Sequence, residues 1–189
     1  MTQSSDSASD LAAALRADAR AVLVAWTPGD AEQRALRDSY VEFLDGHPDA
    51  MWRACVDGHL TGSTLVLSHD RSHVLLTLHS KIKRWLQMGG HCEQGDTSMR
   101  AAAGREALEE SGIAGLRLSD LPVRLDRHRV ACHGGSWHLD VQYAAMAPPG
   151  AVPVISDESV DLRWWPVTSL PADTDDSVRR LVEVALHPR

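Results

Sequence analysis

The sequence predicts a single α/β domain with a helical N-terminal extension. Apolar stripes at helical spacing run through the first sixty residues, short Val/Leu/Thr-rich runs begin at Thr61, and two further helical segments lie among and after those runs. With 189 residues the chain has material for one ordinary domain with a sizeable core, and 43% hydrophobic with 24% charged residues is the balance of a folded globular protein.

Residues 1–10 are polar and read as a disordered tail. Residues 11–60 read as a helical extension packed on the core, and residues 61–189 as the principal domain. Leu11, Leu15, Ala19, Val22, Leu23 and Trp26 form one helical stripe, ended by Thr27-Pro28-Gly29. Leu36, Tyr40, Phe43 and Leu44 form a second, with Asp30 as its N-cap and Gly46-His47-Pro48 beyond it. These stripes need a partner surface, either the core or a second subunit, which leaves a homodimer open. Ser63 to Ser68 and His73 to His79 read as a hairpin, followed by a short strand with Trp85 and Leu86. Met88 to Gly95 reads as a glycine-punctuated loop, and a helix follows from an N-cap among Asp96, Thr97 and Ser98 to Ser111, with Gly112 closing it. Strands are expected around Val123 to Val130, Trp137 to Met146 and Val160 to Trp165, and a last helix over Asp176 to Leu186.

Charge and cysteine usage narrow the function. Nineteen Lys+Arg against 26 Asp+Glu give a net charge of -7, so attraction to a nucleic-acid duplex or an anionic membrane is not expected. Cys55, Cys92 and Cys132 are an odd set without a C-x-x-C pair, and the N-terminus has no signal-peptide pattern, which points to the cytoplasm.

The clearest chemical signal is Arg105-Glu106-Ala107-Leu108-Glu109-Glu110 in the helix after Ser98. At 100° per residue the three carboxylates share an arc of about 100°. Leu108 and Ala101 to Ala103 are expected on the buried side. Arg105 pairs with Glu109 at i+4 but cannot neutralise three acids, and a bound divalent cation resolves the repulsion. The donors are hard oxygens, which suits Mg²⁺ or Mn²⁺. As a hexapeptide alone, the same run also describes a solvated helix face.

With the preceding loop, the stretch from Gly90 through Asp96, Arg105, Glu106, Glu109 and Glu110 to Gly112 and Ile113 resembles the Nudix box, G-x5-E-x7-R-E-U-x-E-E-x-G-U, of Nudix (MutT-type) hydrolases. Asp96 stands where the family has Glu, eight residues rather than seven separate it from Arg105, and small Ala107 replaces a bulky aliphatic. The resemblance implies a mixed β-sheet sandwiched between helices. It also implies a divalent-metal-dependent pyrophosphohydrolase that cleaves a nucleoside diphosphate linked to another moiety. It implies that Glu106 and Glu110 hold the cation with the Gly89 carbonyl, that Glu109 is a third ligand or a proton acceptor, and that Asp96 supports Arg105 by a salt bridge. Glu158, six residues before Trp164, resembles the family's late loop acid and is a second candidate proton acceptor, with Asp157 and Asp161 as neighbours that could substitute. A non-catalytic nucleotide-binding module is the alternative, against which the intact Arg105, Glu106, Glu109 and Glu110 argue.

Lys81, Lys83, Arg84 and Trp85 precede the box and are candidates for gripping phosphates and a base. His128, Cys132, His133 and His138 carry zinc-compatible side chains, but their spacing does not predict a structural zinc site. Cys92 reads as a packed thiol. The family's downstream marks for ADP-ribose, dinucleoside polyphosphate or NADH substrates are missing, so no specificity follows.

Overall fold

The computed structural model describes residues 3–130, 135–157 and 159–187, residues 3–10 as backbone alone. The element order is α1 (Gln3–Ala25), α2 (Ala31–Gly46), β1 (His59–Leu67), β2 (His73–His79), β3 (Trp85–Leu86), β4 (Met88–His91), α3 (Met99–Ser111), β5 (Arg117–Leu118), β6 (Arg124–Val130), β7 (Ser136–Met146), β8 (Ser159–Pro166) and α4 (Asp176–Leu186). The mixed α/β architecture matches expectation, with differences: β1 begins at His59, inside the segment read as helical extension, and β5 is an additional short strand that pairs with β7. Helix α1 starts inside the segment read as a polar tail. Met88 to His91, read as loop, is a strand, because Thr61 to Thr64 of β1 offer it an antiparallel ladder.

Strand β1 is the hub of the sheet. Its first half pairs with β4, its last residues pair with β2, and its whole length runs parallel to β7 from His59↔His138 to Leu67↔Met146. The β1–β2 turn is held by Asp70, which accepts hydrogen bonds from the Ser68 and Ser72 hydroxyls, while Arg71 takes a left-handed φ of 61°. Strands β5 and β6 both pair with β7, and β8 pairs with β2.

Alternation along β1 sends its side chains to two layers. Leu60 joins α1, α2 and α3 in a cluster with Leu15, Leu23, Tyr40, Leu44, Met99 and Ala103, whereas Leu65 and Leu67 pack with Val178, Leu181 and Val182 of α4. The helical extension is tied to the sheet by directional bonds as well. Tyr40 donates its hydroxyl to the Asp126 carbonyl at 2.6 Å, and the Gln33 side chain both donates to the Leu125 carbonyl at 3.1 Å and accepts its N–H at 2.7 Å. Gln33 thereby supplies the backbone of β6 with the partner that a neighbouring strand would give. No described helix is long and apolar enough to cross a membrane.

Candidate active site

Helix α3 is fixed at both ends. Ser98 caps it by accepting the Ala101 N–H at 3.0 Å, and Asp18 of α1 accepts the Met99 N–H at 2.7 Å. At the other end Gly112 adopts φ 64°, where glycine is favoured, and a Cβ there would also come within 2.8 Å of Val154 Cβ. The buried face is Met99, Ala102, Ala103, Ala107 and Ser111. It lies close on β1, where Gly62 leaves room for Met99 and the Thr64 hydroxyl donates to the Ala103 carbonyl at 3.0 Å. Leu108 is 48% exposed and Ala101 is also exposed, which corrects their expected place on the buried side. Leu108 sits one residue, or about 100°, round the helix from Ala107, the residue that enters the core beside Val66, Met88 and Ile113.

Arg105 organises the acids. Its Nε and Nη2 donate to the two carboxylate oxygens of Asp96, each at 3.1 Å, and Nη2 also donates to the His91 carbonyl at 2.9 Å. Its Nη1 donates to Glu106 Oε1 at 3.0 Å and to Glu109 Oε2 at 2.9 Å. The Asp96–Arg105 pair therefore forms despite the longer spacing, and Asp96 is buried while doing so. The hydrogen bonds to Asp96, together with the charge of Glu106, raise the guanidinium pKa above its ordinary value, so Arg105 is always charged.

The acids meet β4 at its two glycines. Glu110 Oε2 accepts the Gly89 N–H at 3.2 Å. Glu106 lies over Gly90, where a Cβ would stand 2.5 Å from Oε1 and 2.7 Å from Oε2. Oxygen donors from Glu106, Glu110 and the Gly89 backbone are what a hard divalent cation takes, and the bare Cα of Gly90 keeps open the space at Glu106 that a side chain would fill. The residues present fit such a cation.

The other expected site residues are placed differently. Glu109 is tied to Arg105, with 55% of its side chain exposed. Lys81, Lys83 and Arg84 are exposed on the turn between β2 and β3. Trp85 is buried in the core, its ring 5.2 Å from that of Trp165 and its carbonyl accepting the Thr174 hydroxyl at 2.6 Å. Asp157 is exposed, and Asp161 on β8 is paired with Arg163. Glu158, Cys132 and His133 lie outside the described residues. Burial, reinforced by the charge of Asp96, pushes the Cys92 thiol up to about 12, as a packed thiol requires. A surface cavity of about 480 Å³ between residues 68–73 and 147–151 contains none of the acids of α3.

A second polar group lies on the sheet, and of it sequence spacing shows only His138 and Asp140, two residues apart on one face of β7. Asp140 on β7 is buried and accepts hydrogen bonds from the Thr61 hydroxyl at 3.0 Å, the Ser63 hydroxyl at 2.7 Å and the Gln142 amide at 3.1 Å. Burial raises its pKa. Beside it, His59, His91 and His138 converge from β1, β4 and β7. Strand register assembles this group, and no periodicity within one segment reports the whole of it.

Comparison with known proteins places the fold and the family. The family model for the NUDIX domain matches residues 59–184. No curated protein matches the sequence. Among solved structures, a NUDIX-family hydrolase from Clostridium perfringens is similar at 24% identity, covering 68% of this chain and 94% of that one, with a TM-score of 0.57. The dihydroneopterin triphosphate pyrophosphohydrolase of E. coli is similar at 22% identity over 66% of this chain and 92% of its own, TM-score 0.56. The NUDIX domain of Shewanella oneidensis NrtR, solved with ADP ribose, is similar at 22% identity over 67% and 85%, TM-score 0.55. At these identities the structures show a shared fold, and the family model adds the rest: the chain belongs to the Nudix family of hydrolases, which act on phosphoanhydride bonds.

Proposed function

We infer that this hydrolase is a Mg²⁺-dependent pyrophosphohydrolase cleaving a nucleoside diphosphate linked to another moiety, by attack of water at phosphorus. The observation that carries the reading is the Arg105 clamp, which presents Glu106 and Glu109 together on α3, with Glu106 and Glu110 against Gly90 and Gly89 of β4. Glu106 and Glu110, with the Gly89 carbonyl, would hold the cation, Mg²⁺ or in its place Mn²⁺. Bound there, it offsets the charge of the diphosphate and favours water as a nucleophile.

The chain's own residues do the remaining work. Asp96 holds Arg105 from one side, so that the guanidinium can hold Glu106 in a fixed position on the other. Glu109 and Glu158 are the candidate acceptors for the proton of the attacking water. One carboxylate oxygen of Glu109 is already engaged by Arg105 at 2.9 Å, which favours Glu158. Lys81, Lys83 and Arg84, exposed on one turn, are suited to meeting the anionic part of a substrate. Trp85, being core, is better read as support for that turn. Nucleotide-type substrates are also supported by the similar structures, one solved with ADP ribose and one named for a triphosphate. The odd cysteine count, with Cys55 and Cys92 free thiols, favours a reducing cytoplasm.

The test is a panel of nucleoside diphosphate derivatives, including nucleotide sugars, dinucleoside polyphosphates and ADP ribose, assayed for phosphoanhydride cleavage with Mg²⁺ and with EDTA. The reading expects Mg²⁺-dependent cleavage of at least one member. Tight binding of a panel member without turnover at any Mg²⁺ or Mn²⁺ concentration would instead establish a binding module.

A further inference from the structure

We propose that His59, His91 and His138 form a binding site for a borderline divalent transition metal, Zn²⁺ or Co²⁺, separate from the acids of α3. One ring nitrogen from each residue lies within 4.8 Å of the other two. The ring centroids are 5.0 Å apart for His59 and His91, 4.8 Å for His59 and His138, and 5.1 Å for His91 and His138. Nitrogens around a tetrahedral Zn²⁺ at about 2.0–2.1 Å are about 3.3 Å apart, so small rotations of the three rings close the cluster on an ion.

Sheet register builds the site. His59 of β1 is opposite His138 of β7, and His91 of β4 is opposite Thr61, the next residue on the same face of β1. Gly62 and Thr64, on the alternate face, contact α3. The histidines therefore occupy the face of the sheet that α3 does not cover, and the acids of α3 lie on the other.

Two features make a metal the fitting occupant. The Nε2 atoms of His91 and His138 are buried and have no hydrogen-bond partner among the described residues. Such atoms are uncommon in folded proteins, and a shared cation gives their lone pairs an acceptor. Second, the donors are three imidazoles with no carboxylate among them, a set that suits Zn²⁺ or Co²⁺ and not Mg²⁺, with a fourth position left for water or a ligand. Arg53 is close enough for its charge to act on His91 and His138, which opposes any cation held by charge alone and leaves the imidazole donors to supply the affinity. His128 borders the group at 5.3 Å from the His138 ring, but its Nδ1 is engaged by Asp126 at 3.0 Å. The site also touches the clamp described above: the His91 carbonyl accepts from Arg105 Nη2, so an ion on its ring fixes a residue that holds Arg105.

The experiment titrates the metal-stripped full-length chain with Co²⁺ and follows visible absorption. A Glu106→Gln/Glu110→Gln double variant, titrated in parallel, removes the α3 acids as ligands. The expected result is one equivalent of Co²⁺ with the strong absorption of a four-coordinate site in both proteins, displaced by Zn²⁺. His91→Gln and His138→Gln should each weaken it by about 10²-fold or more. In the wild-type chain, Zn²⁺ should shift the imidazole nitrogen resonances of three histidines together, a readout that needs no variant to fold. Absence of the one-equivalent absorption, undiminished affinity in both histidine variants, or Zn²⁺ shifts confined to other histidines would each overturn the proposal.

Discussion

Replacing Gly90 by alanine separates the chemistry of the site from the stability of the fold. The added Cβ would stand 2.5 Å from Glu106 Oε1, 2.6 Å from Cδ and 2.7 Å from Oε2. Reaching an ordinary contact requires the carboxylate to move by about 0.9 Å, and because it is the end of a flexible side chain it can do so. The cost to the fold is one hydrogen bond from Arg105, about 1 kcal/mol, offset by the smaller backbone entropy of alanine in the unfolded chain, about 0.4–1 kcal/mol. The melting temperature should therefore stay within about 4 °C of wild type. Turnover should fall by about 10²-fold, the usual consequence of a 1 Å misplacement in a catalytic constellation. Gly89→Ala is the control, since its Cβ would run into Ser63 Cβ, into Ser63 Cα at 2.8 Å and into the Gly62 carbonyl at 3.0 Å. Backbone cannot yield as a side chain does, so that variant should lose about 1–3 kcal/mol of stability. The assay pairs a thermal melt with kcat/KM at saturating Mg²⁺ on the best substrate of the panel. Wild-type kcat/KM in a Gly90→Ala protein that melts normally would refute the placement of Glu106 at the site.

Asp96→Ala removes the buried partner of Arg105 and should lower stability by about 1.5–3 kcal/mol in urea unfolding while cutting turnover; unchanged stability would mean that the clamp contributes nothing. Glu158→Gln should lower turnover by about 10²-fold with the Mg²⁺ requirement unchanged, whereas Glu109→Gln should weaken both; a pH-rate profile of Glu158→Gln that keeps the wild-type acid limb moves the proton acceptor to Glu109. In the metal-free chain, burial and the neighbouring His59 hold His138 down at about 3, against 6.5 for a free imidazole. The unfolded chain takes up this proton as pH falls through 6.5 and the folded chain does not until about 3, so stability declines across that window. His138→Gln should flatten the decline measured by urea midpoints between pH 7 and 4, and parallel slopes would show that His138 is not held neutral.

The parts of the site that lie within one segment were legible in the sequence. Helix α3 and its Gly112 terminus follow from helical period and capping chemistry, and of the three N-caps the sequence offers the structure uses Ser98. What failed to show was set by tertiary partners. Gly89 and Gly90 look like loop residues, yet they are strand residues whose missing side chains make room for Ser63 and Glu106. Leu108 looks like core because it is apolar, but it lies about 100° round the helix from Ala107, off the face of Met99, Ala102, Ala103, Ala107 and Ser111 that packs on the sheet. Trp85 next to three cations looks like a binding residue until Trp165 and α4 are seen to cover it. His59, His91, His138 and Asp140 come together only through the register of β1 with β4 and β7, information that no local pattern contains.

The acids of α3, set against β4 by the Arg105 clamp, are proposed as a metal-dependent hydrolytic site. The most direct measurement is the Mg²⁺ dependence of phosphoanhydride cleavage for wild type and Glu110→Gln on the same substrate, with a thermal melt to confirm that both are folded. Wild type should show saturable Mg²⁺ activation, abolished by EDTA, and the variant should be folded but have lost most of both its turnover and its response to Mg²⁺. A Glu110→Gln protein with wild-type turnover at limiting Mg²⁺ would contradict the proposal.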